Sequence, residues 1–151
     1  MEKVRLGRTE LMVTRTSFGA LPIQRVDFDT SDRILRRAYE AGINFFDTAR
    51  GYSDSELKLG HALADVRDRI ILATKSGARD RDGLLADLET SLGNLRTDYV
   101  DILQLHNPGS LPDPDDPASS LAGAMEARRQ GKVRHVGITN HRLDVALEAA
   151  R

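Results

Sequence analysis

The stretch N-F-F-D-T-A-R-G-Y-S-D-S-E-L-K-L-G, Asn44 to Gly60, decides the fold. Ile43, Phe45 and Phe46 form a short apolar run that ends at a charge, Asp47, so it reads as a strand closing at Asp47-Thr48-Ala49. Gly51 marks a loop that presents Tyr52, and Ser53 or Asp54 is placed to cap a helix through Glu56, Leu57, Leu59 and Leu63. A carboxylate at a strand end and a phenol on the following loop therefore face one space.

The same unit recurs on both sides. Lys3–Leu6 and Leu11–Thr14 flank Gly7-Arg8-Thr9-Glu10 as a short hairpin. Thr14–Ala20 reads as a strand, and Thr30 or Ser31 as the cap of a helix through Ile34, Leu35, Ala38 and Tyr39 that Gly42 stops. Ile70–Lys75 is apolar on both faces, as in a covered parallel strand. Leu84, Leu85, Leu88, Leu92 and Leu95 predict a helix over about 83–95. Val100–His106 is a further buried strand, and the prolines of 107–117 make a loop. Helix 121–129, strand 135–140 and a helix from Leu143 complete the pattern. Five strand–helix units with strand ends spaced about 30 residues apart imply a parallel sheet. An open doubly wound sheet and part of an eight-stranded barrel both satisfy it.

The 151 residues suit one domain, taken as 1–151. Lys and Arg number 22 against 23 Asp and Glu, a net charge of -1 that offers nothing to nucleic acid or an anionic membrane. No apolar run reaches the roughly 18 residues of a membrane span. The absence of cysteine excludes disulfide and thiolate chemistry and fits a cytoplasmic setting. No metal-ligand spacing is present; His61, His135 and His141 read as surface or packing residues.

In parallel α/β folds ligands sit at the carboxyl ends of the strands. Those ends carry Asp47, Lys75 and His106 on successive strands, with Tyr52 beside them. A phenol with an unperturbed pKa of about 10 is a poor acid near neutrality. An ammonium about 4 Å away contributes roughly 4 kcal/mol at an effective dielectric of 20, enough to tune it. Asp47 would keep that ammonium charged and aimed, and His106 would bond a substrate oxygen. Such a set protonates a carbonyl, and hydride has to come from a cofactor.

These residues stand in motifs that resemble the aldo-keto reductases: D-T-A-R-G-Y-S-D-S-E-L-K-L-G (47–60), A-T-K (73–75), D-I-L-Q-L-H (101–106) and G-K-V-R-H-V-G-I-T-N (131–140). The resemblance implies a TIM-type (β/α)₈ barrel closed below by the hairpin, here truncated to five βα units. It implies Tyr52 as general acid, Lys75 and Asp47 as its tuning pair and His106 as the residue that positions the carbonyl. It implies NADPH, with NADH as the alternative, and a small-molecule aldehyde or ketone as substrate. Gly19, Ala20, Asp47, Thr139 and Asn140 match cofactor-binding positions. A full barrel of this type takes roughly 250 residues, so the cofactor's phosphate-binding loops are expected to be missing and its grip weak. Open edges at the first and fifth strands would invite self-association. A non-catalytic binding or regulatory protein on the same scaffold is the alternative function; a Schiff-base lysine at Lys75 is a third and weaker reading.

Overall fold

The structure, a computed structural model, describes residues 1–151. A two-stranded antiparallel hairpin, β1 (Lys3–Arg5) and β2 (Met12–Thr14), precedes a five-stranded parallel sheet. The sheet strands are β3 (Phe18–Gly19), β4 (Phe45–Asp47), β5 (Ile71–Ser76), β6 (Val100–His106) and β7 (Val133–Thr139). Helices α1 (Phe28–Glu40), α2 (Ser55–Leu63), α3 (Arg81–Leu95), α4 (Ser120–Arg129) and α5 (Leu143–Ala149) follow them one for one. Strand order is β3-β4-β5-β6-β7. A doubly wound sheet reverses direction at a switch point; this one never does, which selects the barrel-type arrangement.

Alternation of side chains across each strand divides the sheet into two faces. Phe46, Leu72, Leu103 and Leu105 turn outward and join Leu35, Leu59, Leu63, Leu84, Leu88, Leu95, Ala124 and Ala127 of the helices in one core. Helices come close where glycine leaves room. A Cβ on Gly60 of α2 would lie 2.2 Å from the Asn94 carbonyl oxygen of α3, and one on Gly123 of α4 would lie 2.8 Å from that of Arg81. The other face is concave and is plugged at its lower end by the hairpin. Leu11 and Val13 pack there on Ile71, with Phe45 and Ile102 alongside.

Several boundaries differ from the sequence expectation. The first strand is two residues long, because the backbone of 14–16 is engaged elsewhere: Thr14 N–H donates to the Asn44 side chain at 2.7 Å, and Arg15 N–H to Glu2 O. Helix α1 starts earlier than a Thr30 or Ser31 cap would place it, since the Asp27 carboxylate accepts from Thr30 N–H at 2.7 Å. Asp80 likewise caps α3 through Gly83 N–H. Asp54 occupies the N-cap position of α2 but makes no capping bond; its Oδ2 pairs instead with Lys58 at 2.8 Å. No helix is long and apolar enough to cross a membrane.

Candidate active site

Register builds the site. Partners across a sheet share a face, and Lys75 pairs with Gln104 and Gln104 with Gly137, while His106 pairs with Thr139 one step further up. Asp47 closes β4 on the same face and is the partner of Gly19. The strand ends thus form one polar rim above the apolar plug.

At its centre Lys75 is nearly buried, its side chain 7% exposed. Its Nζ donates to Asp47 Oδ2 at 2.6 Å and to the Thr48 carbonyl at 2.7 Å. Burial of an ammonium is tolerable only with such partners. The Nζ also lies 5.0 Å from the centre of the Tyr52 ring. Tyr52 and His106 meet edge to face, 5.8 Å between centroids and 82° between planes. The four residues singled out from sequence are therefore brought together.

The loop that carries Tyr52 is held to β5 by main-chain bonds: Thr48 N–H to Ala73 O and Arg50 N–H to Lys75 O, both 2.9 Å. Behind it the buried Glu56 accepts from Thr74 Oγ1 at 2.7 Å and Asn94 Nδ2 at 3.1 Å. His106 is pushed below the ordinary histidine pKa, first by burial and then by the Lys75 charge, with Asp47 opposing. That shift favours the neutral imidazole, which keeps one N–H to donate.

Around this group the predicted cofactor positions behave differently from one another. Ala20 N–H donates to Asp47 O at 2.8 Å, which fixes the Gly19–Ala20 turn beside the carboxylate, and a Cβ on Gly19 would meet only open space. Thr139 Oγ1 is buried with no hydrogen-bond partner. A buried hydroxyl without a partner is costly, and this one shares a face with His106, so it fits a polar group arriving from the open side. Asn140 is already committed: its Nδ2 donates to Pro108 O at 2.6 Å and its Oδ1 accepts from Arg142 N–H at 2.8 Å. It ties the loop after β6 to the end of β7.

One neighbour was missed. Gln104 donates from Nε2 to Asp47 Oδ1 at 3.2 Å. The signal was available, since Gln104 stands two residues before His106 and so on the same face. No group of His, Cys, Asp and Glu is arranged to hold a metal.

The aldo/keto reductase family profile matches residues 15–151. The chain belongs to the aldo/keto reductase family. It is similar to the 6-dehydroglucose reductase of Novosphingobium aromaticivorans, 32% identical over 92% of this chain and 51% of that protein. It is 37% identical to the L-galactose dehydrogenase of Arabidopsis thaliana, over 93% of this chain and 49% of that one. Among solved structures, the holo form of an aldo-keto reductase from Bacillus halodurans superposes with a TM-score of 0.86 at 32% identity, covering 98% of this chain and 53% of its own. This aldo/keto reductase chain spans about half the length of the curated relatives it matches.

Proposed function

We propose that residues 1–151 form one domain that carries the carbonyl-reducing site of an NADPH-dependent aldo-keto reductase, acting on small aldehydes or ketones. The observation that supports this most is the Lys75 ammonium, bridged to Asp47 Oδ2 and Thr48 O and turned toward the Tyr52 ring. In this reading Tyr52 delivers its hydroxyl proton to the carbonyl oxygen. Lys75 places positive charge beside the phenol where negative charge develops, which is how a fixed ammonium lowers a proton-transfer barrier. Asp47 holds Lys75 in place. Neutral His106 offers an N–H to the same oxygen and orients the carbonyl toward Tyr52.

A nicotinamide bound against this face would supply the hydride. The Gly19–Ala20 turn, Asp47 and the free Thr139 hydroxyl are the groups that would hold its near end, and Asn140 would act by keeping the loop at Pro108 in place. The cysteine-free composition accords with a cytoplasmic setting.

The test is fluorescence titration of the purified chain with NADPH and with NADH, followed by oxidation of the bound nucleotide with an aldehyde. Tyr52→Phe is expected to reduce turnover by roughly 10²–10⁴-fold, the usual contribution of a positioned acid, with nucleotide affinity unchanged. Turnover that survives the substitution removes Tyr52 as the acid.

A further inference from the structure

We propose that Gln104 is a positioning residue that splits the Asp47 carboxylate between two partners. The inference rests on the reading of Asp47 and Lys75 as the pair behind Tyr52. Asp47 has two oxygens and both are used: Oδ2 takes the Lys75 ammonium at 2.6 Å, and Oδ1 takes the Gln104 amide at 3.2 Å. The bond to Gln104 passes over β5, because Asp47 ends β4 and Gln104 lies on β6. Lys75 is the register partner of Gln104, so the three side chains form a triangle across three strands.

The geometry explains what each part contributes. A carboxylate held by one ammonium alone can rotate about its terminal torsion, since that torsion is broad and roughly two-fold. A second donor on the other oxygen fixes the plane of the group and so the direction from which Lys75 is held. A neutral amide does this without adding a charge. An arginine would compete with Lys75 for the carboxylate, and a carboxylate would repel it. The amide orientation follows from the same chemistry: turned over, Gln104 would set its carbonyl oxygen against Oδ1. The next strand presents only main chain beside Gln104. Gly137 is the register partner of Gln104, and a Cβ there would come to 3.4 Å of Gln104 Cγ. The segment V-G-I-T therefore presents no side chain where Gln104 lies.

Two measurements on the whole chain test this, and only one needs turnover. The first is the side-chain amide resonance of Gln104, assigned by its loss in Gln104→Leu. Asp47→Asn keeps the shape of residue 47 and removes its charge. The Gln104 amide resonance is expected to move and its protons to exchange faster in that variant. A resonance that stays in place overturns the proposal.

The second is NADPH oxidation with an aldehyde. Gln104→Leu is expected to lower kcat about tenfold, the effect of one hydrogen bond to a charged group, with nucleotide affinity within about twofold. Gln104→Glu sets two carboxyl groups together, which then share a proton. It is expected to be the worse variant at pH 8 and to recover toward pH 5, where the introduced carboxyl is protonated and donates as the amide did. A purely structural role for Gln104 would not produce that recovery. A kcat for Gln104→Leu equal to wild type overturns the proposal when Tyr52→Phe is inactive. If wild type shows no turnover at all, the reductase reading falls, and the amide resonance by itself decides whether Gln104 clamps Asp47.

Discussion

Replacing Asp101 by Ala is expected to cost about 3 kcal/mol of stability, and the figure can be assembled from its contacts. Asp101 is buried, 1% exposed, on the outer face of β6. Its Oδ2 accepts from Leu72 N–H of β5 at 2.9 Å and from Arg67 Nη2 at 2.8 Å, and its Oδ1 from Arg134 Nη1 of β7 at 2.9 Å. Loss of the carboxylate leaves Leu72 N–H buried without a partner, at about 1–3 kcal/mol. Arg67 loses its counter-charge but keeps Ile70 O, Tyr99 O and Thr97 Oγ1, and it stays stacked on Tyr99 at 4.1 Å, so its share is about 1–2 kcal/mol. Arg134 is half exposed, and its pairing contributes little.

At about 2–4 °C per kcal/mol for a chain of this size, the midpoint of thermal unfolding should fall by roughly 6–12 °C. Circular dichroism on heating and in urea measures both quantities. Combining Asp101→Ala with Arg67→Met should cost less than the sum of the two, because the second change removes the guanidinium that the first strands. A loss under about 1 kcal/mol, or strict additivity in the double variant, would refute the argument that this carboxylate holds β5, β6 and β7 together.

Other outcomes follow from the same structure. Because the His106 pKa is lowered from its ordinary value of 6.5, the unfolded chain binds the extra proton first as pH falls, so the contribution of His106 to stability drops from about pH 6.5 downward and is constant above it. The difference in unfolding free energy between wild type and His106→Gln, measured against pH, should isolate that slope, and a flat difference would contradict it. Lys58 is buried with three partners, Ile23 O, Val26 O and Asp54 Oδ2. Lys58→Met should cost about 1–3 kcal/mol and speed hydrogen exchange in the 3₁₀ turn Leu21–Arg25, which those carbonyls anchor. Thr139→Val removes a hydroxyl that bonds to nothing in the chain, so stability should stay within about 0.5 kcal/mol while NADPH affinity falls; a large stability loss would show that the hydroxyl serves the fold instead.

Much of this architecture could be read from the residues. Val100–His106 is the strand at the bounds its apolar run suggested, and Asp47, Lys75 and His106 at the strand ends share one face because alternation is a rule of extended backbone, with Tyr52 on the loop beside them. What could not be read was decided by partners distant in sequence. The residues before Phe18 look as strand-like as those of β5, yet their N–H groups go to Glu2 and to the Asn44 side chain, and no propensity records that choice. Asn140 matches a cofactor position by motif, and the motif does not show that its amide also donates to Pro108, a carbonyl 32 residues away. Gln104 reads as one letter of a buried strand, although its distance of two from His106 places it on the same face.

The unbroken strand order has a consequence for how the chain becomes ordered. Every parallel pairing joins a strand to the one made immediately before it: Phe18 to Phe46, Phe45 to Ile71, Ala73 to Ile102, Val100 to Val133. Each closes a loop of one helix, so no pairing waits for distant chain, and the sheet can grow strand by strand in the direction of synthesis. The hairpin is the exception. It precedes the sheet in the chain, yet its Glu10 meets His135 across 125 residues, and that contact has no partner until β7 exists. The piece that plugs the lower end of the concave face thus precedes the sheet in the chain, while one of its contacts waits for the last strand.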